Sequence, residues 1–447
     1  MRSTIGTAFT ETSGGPAPSG PRLYVGIDVG RRFHQVAAIP EARMENGSWE
    51  RAPVRRIATS GAGFRELTSW LETTAIAPAL VRIGCEPTGG GYSRTVAGWL
   101  ERHGYEVQWL QNWAIHDRRQ LMIGKQAKTD ALDARLIARL VYERDRLSLV
   151  GGFLHRPPRN TDALRTLVRG RLRLMDQHIR FRQQLTAVED VLFPELKDFY
   201  RSSVTSSSAR ILLESFPTPE SVAAADPADL YRVIVTVGRN RRMVPRLLDF
   251  QLAAADSAGL TDDREPLVRA QHWLLYQLRL LDRQLEDAEA AIGETLAEWP
   301  EQDRRVLDSF PGMSQHRQAV LLSCIGDLST FNSDRQLRKL LGWYPEAYQS
   351  GTAVHKHHLG KSGNRIGRHE IWLWSLQMLS PLFPPNPFRT YYQRLRGRGM
   401  SGSVAIGHLA GKLISVLFFC LHSGQPYDPV RHARDLGLGD VCTELEA

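Results

Sequence analysis

Four carboxylates in the first third of the chain have positions and spacing that suit metal binding. Asp28 lies inside the apolar run 24–30, and Glu86 ends a second apolar run. Asp130 and Asp133 are three residues apart. A carboxylate in apolar surroundings is unfavourable unless it is paired, hydrogen-bonded or bound to metal. Because Mg²⁺ prefers oxygen ligands, and two such ions can activate a phosphodiester, the set predicts a site for two Mg²⁺ ions.

The segments around the first two carboxylates predict strands of an α/β domain. Residues 24–30 and 33–40 are rich in strand-forming residues and are joined by a short turn, so they predict a hairpin. Residues 79–86 predict a further buried strand, which Pro87 ends because a proline keeps the preceding residue extended. Helical patterns follow these strands, and open α/β sheets carry their sites at the carboxyl ends of strands.

The second pair of carboxylates falls at the start of a predicted helix. Thr129 is a suitable N-cap, and the apolar residues after it have helical spacing. Asp130 and Asp133 therefore share one helical face. Acidic residues in a first turn also complement the helix dipole, so this pair taken alone fits a structural role equally well.

Two enzyme superfamilies begin with an aspartate in such a hairpin. In the actin-like ATP-binding fold an Asp-x-Gly loop holds phosphate through a metal ion. In the RNase H-like nuclease fold the aspartate itself binds catalytic Mg²⁺. No second glycine-rich phosphate loop follows Glu86, and this weakens the ATPase interpretation.

Composition limits the class of partner and the compartment. The 447 residues carry a net charge of +9, which favours a polyanion such as nucleic acid as partner. The four cysteines have no CxxC spacing, so neither a zinc site nor a disulfide framework is expected, and the bacterial cytoplasm fits. The longest apolar run, 413–421, is too short to span a membrane and predicts a core helix.

Two heptad-like patterns predict long paired helices in the middle of the chain. The first runs from 164 to 192 with polar interruptions at Arg171 and His178, and the second runs from 274 to 292. An intrachain hairpin and a dimer-forming coiled coil fit these patterns equally well. A small helical insertion separates them. Its basic tip is expected to bind nucleic acid through Arg239, Arg241 and Arg242.

Several motifs carry a resemblance to a known family. The motifs are Gly-Ile-Asp-Val-Gly at 26–30, Cys-Glu-Pro-Thr-Gly at 85–89 and Lys-Thr-Asp-Ala-Leu-Asp-Ala at 128–134. Their order and separation resemble the RuvC-type DEDD domain of the IS110 family of insertion-sequence transposases, which is related to the Piv DNA invertase. Residues 340–351 and 361–365 resemble the second domain of the same family.

The resemblance implies a fold, a site and a reaction. It implies an RNase H-like (RuvC-like) fold whose acidic tetrad maps onto Asp28, Glu86, Asp130 and Asp133. It also implies that Ser350 is the nucleophile, which attacks phosphorus and stores the bond as a phosphoserine ester. We expect the nearby Lys128, Lys361 and Arg365 to bind phosphate, and the roles of His355, His357 and His358 stay open.

We therefore expect a DNA recombinase of an insertion sequence, with an α/β domain followed by an all-α coiled-coil connector and a helical transposase domain. The expected parts are a disordered tail at 1–20 rather than a targeting segment, the RuvC-like domain at 21–150, the connector with its insertion at 155–300, the serine-bearing domain at 301–430 and a tail at 431–447. We expect the tetrad and Ser350 to act in one composite site.

The expected partners are DNA at the element ends and target, a noncoding bridge RNA implied by the resemblance, and further copies of the chain in a dimer or tetramer. No membrane is expected. Two alternatives stay open. One is a RuvC-like junction nuclease that uses water and leaves Ser350 idle, and the other is an inactive nucleic-acid-binding relic.

Overall fold

The structure is a computed structural model, and the chain divides into two compact units at Arg156 and Pro157. It describes residues 20–87, 91–110, 112–123, 129–147, 153–154, 159–200, 203–326, 328, 331–346, 349–350, 353–354, 358–360 and 362–437. Apart from Gly20, the predicted tail at 1–20 lies outside these residues.

The first unit is built on a mixed sheet. Its described strands are β1 Leu23–Asp28, β2 Phe33–Pro40, β3 Val54–Ala58, β4 Val81–Cys85, β5 Glu106–Leu110 and β6 Phe153–Leu154. They lie in the order β3-β2-β1-β4-β5-β6. The hairpin predicted for β1 and β2 is confirmed, β3 continues it in antiparallel fashion, and β4 and β5 run parallel to β1.

Helices cover both faces of this sheet. They are α1 Glu41–Glu45, α2 Gly61–Glu72, α3 Tyr92–Arg102, α4 Asn112–Ile123 and α5 Asp130–Leu147, with short 3-10 turns at Ser48–Arg51 and Pro78–Leu80. Alternate residues of β1 point to opposite faces. Val25 and Ile27 pack with α2 and α3, and Tyr24 packs with α5. Each strand in the middle of the sheet is therefore buried on both sides, as expected where parallel pairs occur.

Glycines in the two central strands allow α5 to lie directly against the sheet. A Cβ atom on Gly26 would overlap the carbonyl oxygen of Ala134, and one on Gly84 would lie 2.5 Å from Val141 Cγ2. Any larger residue would push α5 away from β1 and β4. At the far end of this contact, the Tyr24 hydroxyl donates a 2.7 Å hydrogen bond to Asp145, which fixes how α5 is aligned along β1.

The second unit begins with two long helices that pair within the chain. They are α6 Arg159–Leu192 and α12 Glu265–Ala297. Arg171 on α6 pairs with Glu289 at 2.7 Å, and His178 lies 3.1 Å from Asp282. Residue numbers rise on one helix as they fall on the other, so the helices are antiparallel. Of the two arrangements that the heptad patterns allow, the chain itself forms the intrachain hairpin.

A small helical insertion connects these two helices. Its described elements are α7 Leu196–Phe199, α8 Ser207–Ser215, α9 Pro219–Ala223, α10 Pro227–Tyr231, a π-helical turn Arg232–Val237, a 3-10 turn Arg241–Arg246 and α11 Leu247–Ala255. Phe250 stacks on Phe193 in the centre of its apolar core. The insertion was predicted. Of its basic residues, Arg239 lies between the π-helical and 3-10 turns, and Arg241 and Arg242 begin the 3-10 turn.

The remainder of the second unit is mainly helical. Its helices are α13 Glu301–Asp308, α14 Gln315–Ile325, α15 Asp334–Leu340, α16 Arg365–Leu379, α17 Pro387–Gly397, α18 Gly402–Ser423 and α19 Pro429–Asp435, and its strands are β7 Pro345–Glu346, β8 Gln349–Ser350, β9 Ala353–Val354 and β10 His358–Leu359. The ends of the long helices share this core through Leu164 and Ile292. Helix α19 crosses the boundary expected at 430 and buries His432.

Helix α18 contains the long apolar run noted in the sequence. Within the described part of the chain, it is the one helix long and apolar enough to cross a membrane. Leu413, Ile414 and Leu417 on its inner side are fully buried in the core shared with α14 and α16. That packing accounts for the apolar residues on its inner side, as the sequence predicted for a core helix.

Candidate active site

Asp28 is the last residue of β1 and lies on the face that α5 covers. Tyr24 and Gly26 contact α5, and strand alternation places Asp28 on the same side. The pairing of Ile27 with Cys85 leaves Glu86 one residue beyond the end of the parallel β1–β4 ladder. Both carboxylates therefore stand at the carboxyl ends of adjacent parallel strands, where open α/β sheets bind ligands.

The first turn of α5 brings the second pair of carboxylates to the same place. The Thr129 hydroxyl accepts a 3.2 Å hydrogen bond from the Leu132 amide, which confirms it as the N-cap. Asp130 is exposed, whereas Asp133 is 6% exposed. Because α5 lies so close to β1, its amino-terminal end stands over the ends of β1 and β4. The four carboxylates line one cleft of about 950 Å³.

Electrostatics within the cleft reflect this crowding of negative charge. Burial, together with the negative charges of Glu86, Asp130 and Asp133, raises the pKa of Asp28 from its ordinary 3.8 to about 7. A side-chain hydrogen bond to Glu86 acts in the same direction. Near neutral pH, the Asp28 carboxyl thus retains a proton for a substantial part of the time. A positive ion in the cleft would relieve the repulsion and displace that proton.

The donor set suits a divalent cation, but its side chains do not converge. Among the described residues, no three His, Cys, Asp or Glu side chains are close enough together to hold a metal ion as they stand. One reason is that Arg119 Nε and Nη2 each bind an Asp133 carboxylate oxygen at 2.8 Å. The carboxylates therefore suit a divalent cation in type and position, provided that Arg119 releases Asp133.

Arg119 is a site residue that sequence reasoning missed. It lies on α4, a helix that no sequence pattern predicted. The only signal in the sequence is the pair of arginines at 118 and 119, a short distance before the acidic helix. The two arginines have different partners, because Arg119 binds Asp133 in the cleft whereas Arg118 binds Glu143, which does not line the cleft.

One side of the cleft is basic and aromatic rather than acidic. Residues of the β1–β2 turn and the neighbouring strands line it, namely Arg31, Arg32, Phe33, Gln35 and Arg56. The three arginines are exposed. This side was also missed, because no spacing in the sequence links Arg56 to Asp28.

Ser350 lies in the second unit, in the two-residue strand β8. Its backbone pairs with Ala353 of β9, so this part of the domain expected to be helical consists of short strands. The side-chain surroundings of Ser350 lie outside the described residues. The same holds for Lys128 and Lys361, for His355 and His357, and for the side chain of His358.

The two motifs on either side of Ser350 contact each other. The Asn364 amide donates a 2.7 Å hydrogen bond to the Leu340 carbonyl, and the Trp343 indole donates one of 3.1 Å to the Arg368 carbonyl. Gly363 packs against Gly342 so closely that a Cβ atom would lie 2.7 Å from the Gly342 Cα. The segment that carries Ser350 is therefore held at both ends.

The other predicted nucleic-acid contacts are exposed. Arg365 is the first residue of α16. The Asn364 side chain caps this helix by accepting hydrogen bonds of 3.0 and 3.1 Å from the amides two and three residues further on. Arg239 has a left-handed backbone, with φ of 52°, at the tip of the insertion. Arg241 and Arg242 follow it and are also exposed. The acidic tetrad lies in the first unit, lining one cleft, and these four arginines lie in the second unit.

Comparison with known proteins gives two family matches. A family described as a transposase, the DEDD transposase of IS110, matches residues 25–194. The IS116/IS110/IS902 transposase family matches residues 304–393. The first match contains all four carboxylates, and the second contains Ser350.

Several curated proteins resemble nearly the whole chain. An insertion element IS116 protein of Streptomyces clavuligerus is 25% identical over 413 residues, which cover 91% of this chain and 96% of that protein. The mini-circle putative transposase for IS117 of Streptomyces coelicolor is 25% identical, over 92% of this chain and 96% of its own length. The pilin gene-inverting protein of Moraxella bovis is 21% identical over 92% and 99%.

Proposed function

Because this chain belongs to the IS110 family of transposases, enzymes that act on DNA, we propose that it cuts and rejoins DNA at the ends of an insertion sequence through a DEDD carboxylate site and a phosphoserine intermediate. The observation that carries this proposal is that four carboxylates line one cleft at the carboxyl ends of β1 and β4. A basic net charge is consistent with the DNA substrate.

We assign the first unit to the RNase H-like (RuvC-like) fold. Three antiparallel strands followed by two strands parallel to the first, in the order β3-β2-β1-β4-β5, support the assignment. The position of Asp28 at the end of the first strand also supports it. The parts that we assign are the DEDD domain at 21–150, the coiled-coil connector at 155–300 and the serine-bearing domain at 301–430.

Asp28, Glu86, Asp130 and Asp133 are the residues that would hold Mg²⁺, and we propose two ions. Bound there, divalent ions supply the positive charge that activates a phosphodiester and stabilises its transition state. The protein contributes three actions. Asp28 gives up the proton that its raised pKa retains, Arg119 releases Asp133, and α5 holds the second pair of carboxylates against the sheet.

Ser350 is the proposed nucleophile. Its Oγ forms a bond to phosphorus and loses its proton, while the bond from phosphorus to a DNA oxygen breaks and that oxygen leaves as a hydroxyl. The phosphodiester is thereby conserved as a phosphoserine ester. Attack by a DNA hydroxyl on the ester then reseals the strand and regenerates the serine, so rejoining needs no further source of energy.

The test is a denaturing gel of end-labelled element-end DNA after reaction with Mg²⁺. Wild type should give a covalent protein–DNA band, and Ser350→Ala should give neither adduct nor recombinant. Ser403→Ala is the matched control, because Ser403 is an exposed serine of the same unit and should behave as wild type. Cleavage by Ser350→Ala at the wild-type rate, with free phosphate ends and no shifted band, would instead identify a nuclease that uses water.

The metal site is tested in the same assay. Asp130→Ala should abolish cleavage while the protein stays folded, because loss of one carboxylate from a crowded set relieves repulsion. Asp117→Ala is its control, since Asp117 lies on neighbouring α4, is exposed and does not line the cleft. Full excision activity of Asp130→Ala would remove the DEDD proposal.

We also propose that a noncoding bridge RNA selects the DNA target and that several copies of the chain act together as a dimer or tetramer. The sequence contains no helix-turn-helix or zinc-finger signature that would read bases, so base pairing through an RNA would supply the specificity. Protein purified from cells that carry the element should retain a discrete RNA. Target choice that is unchanged after the loops of that RNA are rewritten would disprove the guide role.

A further inference from the structure

The pairing of the strands places Arg56 in the same cross-strand row as Asp28. Asp28 pairs with Gln35 across β1 and β2, and Gln35 pairs with Arg56 across β2 and β3. Directly paired residues project from the same face of a sheet. With neighbouring strands about 4.8 Å apart, Arg56 stands about 10 Å from Asp28 along this row. All three side chains line the same cleft.

Arg56 carries an aromatic partner in place of an acidic one. Its guanidinium carbon lies 3.7 Å from the ring centroid of Phe33, which is on the same face of β2 as Gln35. Phe33 is 39% exposed, although it is large and apolar. In the described part of the chain, no carboxylate forms an ion pair with Arg56. Its planar group of N–H donors is therefore available to a ligand, and the ring beneath it is open to solvent.

This arrangement matches the chemistry of a nucleic-acid strand. A guanidinium binds phosphate through two parallel N–H groups, and an exposed aromatic ring stacks on a base of any sequence. A strand with one phosphodiester at the carboxylates would extend along the row towards the edge of the sheet. It would then meet Arg31, Arg32 and Arg56, which turn this side of the cleft basic.

We propose that Arg56 and Phe33 form a subsite for the DNA strand, which binds the nucleotide next to the phosphodiester that is cut. The inference rests on the proposed function, because it takes the carboxylate end of the cleft as the place of cleavage. Arg56 binds the neighbouring phosphate, and Phe33 stacks on the base. The subsite thereby sets how the strand is aligned relative to Asp28.

The chain offers a matched control in the adjacent residue. Arg55 is also exposed, is on the same edge strand and also lies over an aromatic ring, with its guanidinium carbon 4.4 Å from the centroid of Trp70. Strand alternation directs it to the opposite face, and it does not line the cleft. Arg55→Gln removes the same charge from the same strand and leaves the proposed subsite intact.

The experiment measures binding of the full chain to a fluorescein-labelled 20-nucleotide DNA strand of the element end, by anisotropy in EDTA so that no cleavage occurs. Arg56→Gln and Phe33→Ala should each weaken binding about fivefold or more. Arg56→Gln should also lower the salt dependence by about 0.7, the value for one phosphate contact on a single strand. Arg55→Gln should match wild type. Melting curves verify that the variants, all at exposed positions, are folded.

A second measurement reports the position directly. The same strand with 4-thiothymidine beside the cut position should cross-link to the peptide that contains Phe33, and less so in Arg56→Gln. Equal losses of affinity for Arg55→Gln and Arg56→Gln, loss confined to an RNA strand of the same sequence, or a cross-link elsewhere would overturn the subsite. If wild type cleaves and Arg56→Gln binds DNA as wild type does, the subsite proposal is wrong and the DEDD proposal stands. If Asp130→Ala still cleaves while Arg56→Gln loses affinity for DNA, the DEDD proposal is wrong and the subsite proposal stands.

Discussion

Replacement of Arg119 by Gln should destabilise the protein mainly while no metal is bound. In the described structure Arg119 holds both oxygens of Asp133, each at 2.8 Å, within a cluster of carboxylates. It acts there as the positive charge that a metal ion would otherwise supply. A bound cation would take over this role, so the two compete for the same carboxylate.

The size of the effect follows from the burial of the pair. The side chains of Arg119 and Asp133 are 15% and 8% exposed. Removal of one partner from a buried pair costs about 3–5 kcal/mol, and since Gln can still donate one hydrogen bond, we expect about 2 kcal/mol. For a unit of the size of Met1–Arg156, the melting temperature should fall by about 4–8 °C in EDTA. Because Arg119→Gln removes the competitor for Asp133, its Mg²⁺ affinity should rise, and the same 2 kcal/mol limits this gain to roughly 30-fold.

The assay combines thermal melting in EDTA and in saturating Mg²⁺ with calorimetric titration of Mg²⁺. The control is Arg118→Gln, because Arg118 is the adjacent residue and binds buried Glu143, which does not line the cleft. Its loss of stability should be the same with and without Mg²⁺. An equal loss for Arg119→Gln in both conditions, together with unchanged Mg²⁺ affinity, would refute the competition between Arg119 and metal.

Three further predictions follow from burial and close packing. The pKa of Asp28 is about 7 in the folded protein, against an ordinary value of 3.8, so the stability that its protonation contributes is lost as pH rises towards 7. Metal-free wild type should therefore have a higher melting temperature at pH 6 than at pH 8, and Asp28→Asn should reduce that difference. Burial likewise raises the pKa of Glu189 to about 7, and Glu189→Gln should stabilise the protein at pH 8 and have less effect at pH 5, as measured by urea unfolding. Gly26→Ala should cost about 3 kcal/mol or more, because its Cβ overlaps the backbone of α5, whereas Gly98→Ala in α3 should gain up to about 1 kcal/mol in the same assay, because the nearest atom is 3.7 Å away.

The local elements that carry the carboxylates could be predicted from the sequence. Alternation and turn residues predicted the hairpin of β1 and β2, and the cap at Thr129 predicted where α5 begins. These signals are strong because each depends on neighbours within a few positions along the chain. Motif order then placed Asp28 and Glu86 in one set with the aspartates of α5, and the structure brings all of them to one cleft.

The pairing of the long helices shows where periodicity stops being informative. A heptad pattern states which face of a helix is apolar and leaves the partner undetermined, so α6 could pair within the chain or with a second copy. The choice depends on whether the insertion between α6 and α12 allows the chain to turn back. Contacts such as Arg171 with Glu289 record the antiparallel alignment that results.

Only the tertiary structure decided which arginines join the carboxylates in the cleft. Arg119 reaches Asp133 because α4 and α5 pack together, and Arg56 joins the row of Asp28 because two strand registers combine. Neither relation leaves a pattern in the sequence, since arginine is compatible with any exposed position on a helix or an edge strand. Side-chain chemistry determines what each residue can bind, whereas the approach of separate elements determines what it does bind, and that approach is a property of the packed core.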